Sequence, residues 1–284
     1  MKILSFGEII WDIYPDNRCI GGAPLNFAAH VAKRGVTSYL ASAVGSDILG
    51  KDAILQLEKF AVKTDYVSTL SGKSTGTCTV LLDENGVPSY NLATDTAYDY
   101  ISFPSELYGE RFDAISFGTL ALRSEHNRRT LKSILDVADT VYCDLNLRYP
   151  FYTDDTVRFA LESANILKIS DTELDFLREN ILKTAETDYS CLLRILCDAY
   201  ANIGIVLLTC GEKGAYLYTS NDRKILYRMA KKVNVVSTVG AGDSFGAVFL
   251  ADYLLGKSLD KCLDGAICVS AQVVSHKEAV PLDF

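Results

Sequence analysis

No Cys-x-x-Cys pair occurs in this chain, and no histidine pattern accompanies any of its eight cysteines. That spacing argues against a zinc site, a thioredoxin-type motif or a disulfide framework. Several cysteines sit in apolar surroundings, such as Cys210 behind the run Ile205–Leu208. They read as reduced core thiols of a cytoplasmic protein. No apolar stretch approaches the ~20 residues of a membrane span. The N-terminus reaches Glu8 too early for a secretory core. Internal repeats, low-complexity tracts and Pro/Ser-rich linkers are missing too, so separate tethered domains are not expected. Positive charge is in deficit: 28 Lys and Arg against 36 Asp and Glu give a net charge of −8. Nucleic acid or an anionic membrane would be repelled, although a few local N–H groups and cations suffice for a nucleotide.

The remaining pattern is an alternation of short apolar runs with amphipathic segments. Ile3–Phe6, Tyr39–Val44, Ala114–Phe117, Thr140–Cys143, Ile166–Ile169 and Ile205–Thr209 predict strands covered on both faces. Leu25–Arg34, Ala53–Phe60, Arg128–Ala138, Thr156–Ala164 and Glu173–Leu182 predict the helices between them. The alternation predicts one doubly wound α/β domain over residues 1–284. Thr75–Leu82 and Val87–Ala93, joined through Asp83-Glu84-Asn85-Gly86, predict a hairpin that interrupts this rhythm. A second hairpin is expected from Ala215–Thr219 and Lys224–Arg228.

The stretch richest in chemistry is Ser237-Thr238-Val239-Gly240-Ala241-Gly242-Asp243, followed by an apolar helix. Two glycines before a helix permit a tight turn whose first N–H groups are unpaired and face an anion. Asp243 is then either the cap of that helix or a base beside a phosphoryl site. Gly240-Ala241-Gly242 is not a dinucleotide fingerprint, because its third glycine would fall at Phe245. Gly45-Ser46-Asp47-Ile48-Leu49-Gly50-Lys51-Asp52 imitates a P-loop, but Asp52 replaces the hydroxyl that would bind Mg²⁺.

With Gly21-Gly22-Ala23-Pro24-Leu25-Asn26-Phe27-Ala28 at the other end, the chain resembles the ribokinase-like (PfkB-type) carbohydrate kinases, and most closely their fructokinases. That resemblance implies a mostly parallel doubly wound sheet with helices on both faces and a small β lid, formed here by about 13–22 and 75–104. It implies ATP-dependent phosphorylation of a sugar, with Asp243 as general base and Gly240, Ala241 and Gly242 as the anion hole. Asp12, Gly22, Asn26 and Tyr98 would border the sugar. Asp144-Leu145-Asn146-Leu147-Arg148 resembles a fructokinase motif that brings Arg148 to substrate or phosphate. Thr209, Gly211, Gly214 and Thr238 would approach ATP, and adenine would lie near Ala266–Ser275. Glu173 would orient water around Mg²⁺. The lid edge would offer a place for two copies to pair.

Two residues depart from the family pattern. Ser237 stands where many members have an Asp that helps hold a monovalent cation, so K⁺ is expected to matter little. Ser170 replaces an Asn three residues before Glu173. D-Fructose is the expected substrate. A kinase of another keto sugar or sugar acid, such as 2-keto-3-deoxygluconate, is the nearest rival, with Arg123 as a candidate second cation. A sugar-binding regulatory protein that lost turnover is the rival of another class.

Overall fold

Strands that are apolar on both sides need cover on both sides. In β1 (Lys2–Phe6) Ile3, Leu4 and Phe6 are all fully buried. The computed structural model describes residues 1–82, 88–104 and 109–282. After β1 come β2 (Ile10–Ile13), β3 (Arg18–Gly21), α1 (Ala23–Lys33), β4 (Thr37–Gly45), α2 (Ile48–Lys59), β5 (Val67–Leu70), β6 (Gly76–Leu82) and β7 (Pro88–Leu92). The second half holds β8 (Phe112–Gly118), α3 (Glu125–Ile134), β9 (Ala138–Asp144), α4 (Asp154–Ser163), β10 (Ile166–Ser170), α5 (Asp171–Phe176) and α6 (Tyr189–Ala199). It ends with β11 (Ile205–Thr209), β12 (Ala215–Thr219), β13 (Lys224–Arg228), α7 (Ala241–Leu254) and α8 (Leu259–Val273).

Nine strands form the main sheet in the order β13-β12-β11-β10-β9-β8-β1-β4-β5. All its pairings are parallel except those of the β12–β13 hairpin. Alternation along each strand divides the core. Leu4, Phe6, Ile115, Phe117 and Cys143 pack with residues of α3 to α6. Ile3, Ala114 and Tyr142 pack with α1, α7 and α8 on the opposite face.

A smaller sheet, ordered β3-β2-β6-β7, is hydrogen-bonded separately, and its Trp11 packs in a cluster with residues of α1, β4 and α2. Its first strand begins at Ile10, ahead of the expected lid boundary, because Ile10 and Trp11 continue the buried apolar run. The Asp83–Gly86 turn expected between β6 and β7 lies outside the described residues.

Other boundaries moved for local reasons. Asp47 accepts a hydrogen bond from Gly50 N–H and starts α2 at Ile48 rather than at Ala53. The helix expected over Glu173–Leu182 is α5 followed by a π-helical turn from Leu177, which ends at Lys183 with φ 52°. The pattern reading missed α6, which Asp188 caps and which buries Leu192, Leu193, Leu196 and Cys197. Each of the eight cysteines is free. Among the described residues no helix is long and apolar enough to cross a membrane.

Candidate active site

The N-terminus of α7 sets the centre of the site. Gly240 takes φ 79°, and a Cβ there would stand 2.7 Å from Ala279, so glycine answers both demands. Ala241 N–H turns back to Thr238 O, and Ser244 N–H closes the first helical bond to Gly240 O. The N–H groups of Gly242 and Asp243 therefore have no intrahelical acceptor, and no side chain caps this helix. Asp243 is not the cap: its Oδ2 accepts from Asn26 Nδ2 at 2.8 Å, across from α1. Withdrawal from water and the nearby Asp144 push the Asp243 carboxyl up to about 6, against the pull of Asn26, Lys168 and Arg148. Thr238 itself is exposed, and its carbonyl shapes the turn. Ser237 Oγ accepts from Val239 N–H at 3.2 Å, while its own N–H donates to Val274 O at the end of α8.

Beneath this turn lies an ion pair that sequence reasoning missed. Lys168 Nζ donates to both carboxylate oxygens of Asp144 at 2.8 Å, with both side chains nearly closed to solvent. The pair joins the carboxyl ends of β9 and β10, where open α/β sheets bind ligands. A lone Lys within Ile166-Leu167-Lys168-Ile169 was the available signal. Tyr142, also on this face, buries a hydroxyl without a partner and packs on Phe27, with ring centroids 5.1 Å apart. Tyr142, Phe27, Ser116, Gly118, Asp144 and Asp243 are among the residues lining a narrow cleft.

Glu173 holds the neighbouring loop. Its Oε1 accepts from Leu147 N–H at 2.7 Å, and its Oε2 accepts from Ser170 N–H and Oγ. Ser170 in turn caps α5. Serine at this position thus completes a capping box, and Glu173 ties the Asp144–Arg148 segment to α5. The same segment leaves Arg148 exposed, and no carboxylate among the described residues lies within ion-pair distance of it. Its charge acts on Asp12, Glu8 and Asp243, which places it among the expected sugar-side residues.

On that side Gly22 adopts φ 108° as the N-cap of α1, and a Cβ would collide with Glu8 O. Burial raises Asp12, and Arg148 opposes the shift. The unanticipated member is Glu8, a buried carboxyl whose Oε2 has no partner. Burial foremost, with Asp243 nearby, raises it to about 7. Tyr98 is fully buried, its ring 4.8 Å from the Arg123 guanidinium and its hydroxyl unpartnered. Arg123 is held on one side, where Nε and Nη2 donate to Asp99 at 2.7 and 2.8 Å and Nη2 also donates to Ala93 O, while its buried Nη1 has no partner.

Of the expected nucleotide residues, Thr209, Gly211 and Gly214 lie at the carboxyl end of β11 and the turn into β12, whereas Thr238 belongs to the turn before α7. Thr209 Oγ1 donates to Ile169 O at 3.3 Å, and Gly211 is exposed with φ 54°. At Gly214 a side chain would collide with Arg228 O, which explains that glycine by packing. Ala266, Ala271 and Val273, in the region expected to border adenine, are core residues of α8. The P-loop lookalike is a structural corner in which Asp47 accepts from Gly50 N–H, Thr75 N–H and Thr75 Oγ1. Among the described residues no group of three or more His, Cys, Asp or Glu side chains could hold a metal.

Comparison with known proteins agrees with this architecture. The family model for pfkB family carbohydrate kinases matches residues 17–283. A probable fructokinase of Arabidopsis thaliana is 27% identical, covering 98% of this chain and 93% of that one. A fructokinase of Salmonella typhimurium is also 27% identical, covering 88% and 83%. Among solved structures, a sugar kinase of Pyrococcus horikoshii in complex with ATP superposes with TM-score 0.82 at 26% identity, over 98% of this chain and 94% of that one.

Proposed function

Because the chain belongs to the pfkB family of carbohydrate kinases and is an ATP-dependent sugar kinase, we propose that its substrate is D-fructose and its product fructose 6-phosphate. The observation that carries the reading is Asp243: its carboxylate is held by Asn26 beside the unpaired N–H groups of α7, instead of capping them. A base and an anion hole side by side suit in-line transfer of a phosphoryl group to a hydroxyl. Asp243 takes the proton of the attacking hydroxyl as the oxygen meets phosphorus. The N–H groups of Gly242 and Asp243 receive the charge that spreads over the transferring oxygens. Asp12, Gly22, Asn26 and Arg148 surround the sugar, with Glu8 Oε2 and Asn26 Oδ1 as buried acceptors for its hydroxyls. Thr209, Gly211 and Thr238 lie along the route of the phosphates.

Mg²⁺ fits this donor set as a hydrated ion shared with the phosphates, since Mg²⁺ keeps waters and needs only one or two carboxylates. Glu173 is the carboxylate that would orient those waters, and the ion would neutralise phosphate charge. For the sugar-acid alternative Arg123 stays a candidate second cation: Asp99 holds its Nε and Nη2, and its buried Nη1 has no partner.

ADP release measured with a panel of ketoses, aldoses and sugar acids tests the reading. Fructose should give the highest kcat/KM. A sugar acid turned over tenfold better (~1.4 kcal/mol in transition-state binding) would replace fructose. Sugar binding without any ADP would identify a sensor.

A further inference from the structure

Phosphates arrive at this site carrying several negative charges, yet the groups already there are mostly acidic. Among the described residues, Lys168 and Arg148 act on this acidic group of Glu8, Asp144, Glu173 and Asp243, while Arg123 acts on Glu8 from its ion pair with Asp99. Arg148 is exposed and stands on the sugar side, so water weakens its field. Of the two cations that act on Asp243, Lys168 is the buried one, and its position is specific. A Cβ at Gly242 would lie 3.1 Å from Lys168 Nζ and 3.5 Å from its Cε. The ammonium is therefore in contact range of the anion-hole turn itself. Gly242 is not among the glycines at positive φ, so what it supplies is room for that contact.

We propose that Lys168 is a cation built into the phosphoryl-transfer site, clamped by Asp144 against the Gly242 turn so that its charge supports both the anion hole and Asp243. This rests on the sugar-kinase reading and assigns Lys168 as a positioning residue for it. A buried ion pair contributes little net stability over apolar packing, so a purely structural role gives no reason for one under this turn. Burial opposes the charge on Lys168, but Asp144 and Glu173 outweigh burial and hold its pKa above the ordinary value. The ammonium therefore stays protonated as the phosphates come and go. It also lowers the proton affinity of Asp243, against Asp144, which raises it. Ser237 supplies no charge at the head of the motif, and Lys168 supplies one from below.

The test compares wild type, Lys168→Met and the double variant Asp144→Asn/Lys168→Met, with melting temperature as the control for folding. Lys168→Met should lower kcat by ~10²-fold, as removal of one transition-state donor does. ATP should bind about tenfold more weakly, and sugar affinity should change by less than about threefold. The acid limb of the kcat–pH profile should move up by about one unit, as Asp243 loses its cation with Glu8, Asp144 and Arg148 still facing it. The double variant leaves no carboxylate at position 144 stripped of its cation and should fold, yet keep the low kcat. A folded variant of either kind with kcat within about threefold of wild type overturns the proposal, as does an unmoved acid limb in Lys168→Met. If wild type phosphorylates no sugar, the functional reading fails by itself. Lys168 is then judged on ATP affinity alone, and an unchanged Kd overturns it.

Discussion

The helices α2 and α7 each have one glycine just before the helix, another in its first turn and an acid beside them, and they use these parts in opposite ways. At α2 the acid is the N-cap. Asp47 takes Gly50 N–H, Thr75 N–H and Thr75 Oγ1, so the turn is filled by its own chain. At α7 the N-cap is Gly240, which has no side chain, and the acid sits three residues on, bonded to Asn26 of another helix. The first arrangement uses its N–H groups for internal order, whereas the second leaves them without a side-chain cap, as the proposed anion site requires. An anion site thus needs an acid that is drawn away from the helix end, and a partner to hold it there.

Four experiments probe this contrast. Asp243→Asn should lower kcat by ~10²–10⁴-fold with sugar affinity nearly unchanged by calorimetry, because a general base is lost. Activity within about threefold of wild type would return α7 to the same class as α2. The pH profile comes next. Asp243 must be ionised to act and its carboxyl is raised to about 6, so kcat should fall about tenfold per pH unit below that point. A rate flat down to pH 4 would remove Asp243 from proton transfer. Asp47→Ala should cost about 1–2 kcal/mol of stability, read from thermal melting, and leave kcat alone, as expected of a cap. A large loss of turnover in a folded Asp47 variant would break the distinction from the other side. The smallest effect is expected from replacing K⁺ with a bulky organic cation. Ser237 offers a neutral oxygen already hydrogen-bonded to Val239 N–H, so the rate should barely change.

Much of the fold was legible because it rests on local pattern. Apolar runs such as Ile205–Thr209 and helices closed by Gly35 keep their period whatever surrounds them. α6 was missed although its Asp188 cap and its Leu192, Leu193 and Leu196 stripe are present in the sequence. The π-helical turn after Phe176 has no local signature, because packing rather than propensity sets it. In the site, Asp243 and Gly22 were visible as parts of motifs. Glu8 and Lys168 were not, since a single charged residue in an apolar run does not announce its partner.

The sequence alone determined the α/β rhythm, the two glycine-rich turns and the family they indicate, because period and turn chemistry are properties of neighbouring residues. It left Asp243 poised between helix cap and base. Tertiary structure removed the cap reading by bringing Asn26 across 217 positions of chain to hold the carboxylate. It also placed Lys168 under Gly242 and turned Arg123 onto Asp99. Such contacts depend on how sheet and helices stack. A charge buried among them takes its pKa and its use from whichever group the fold sets beside it.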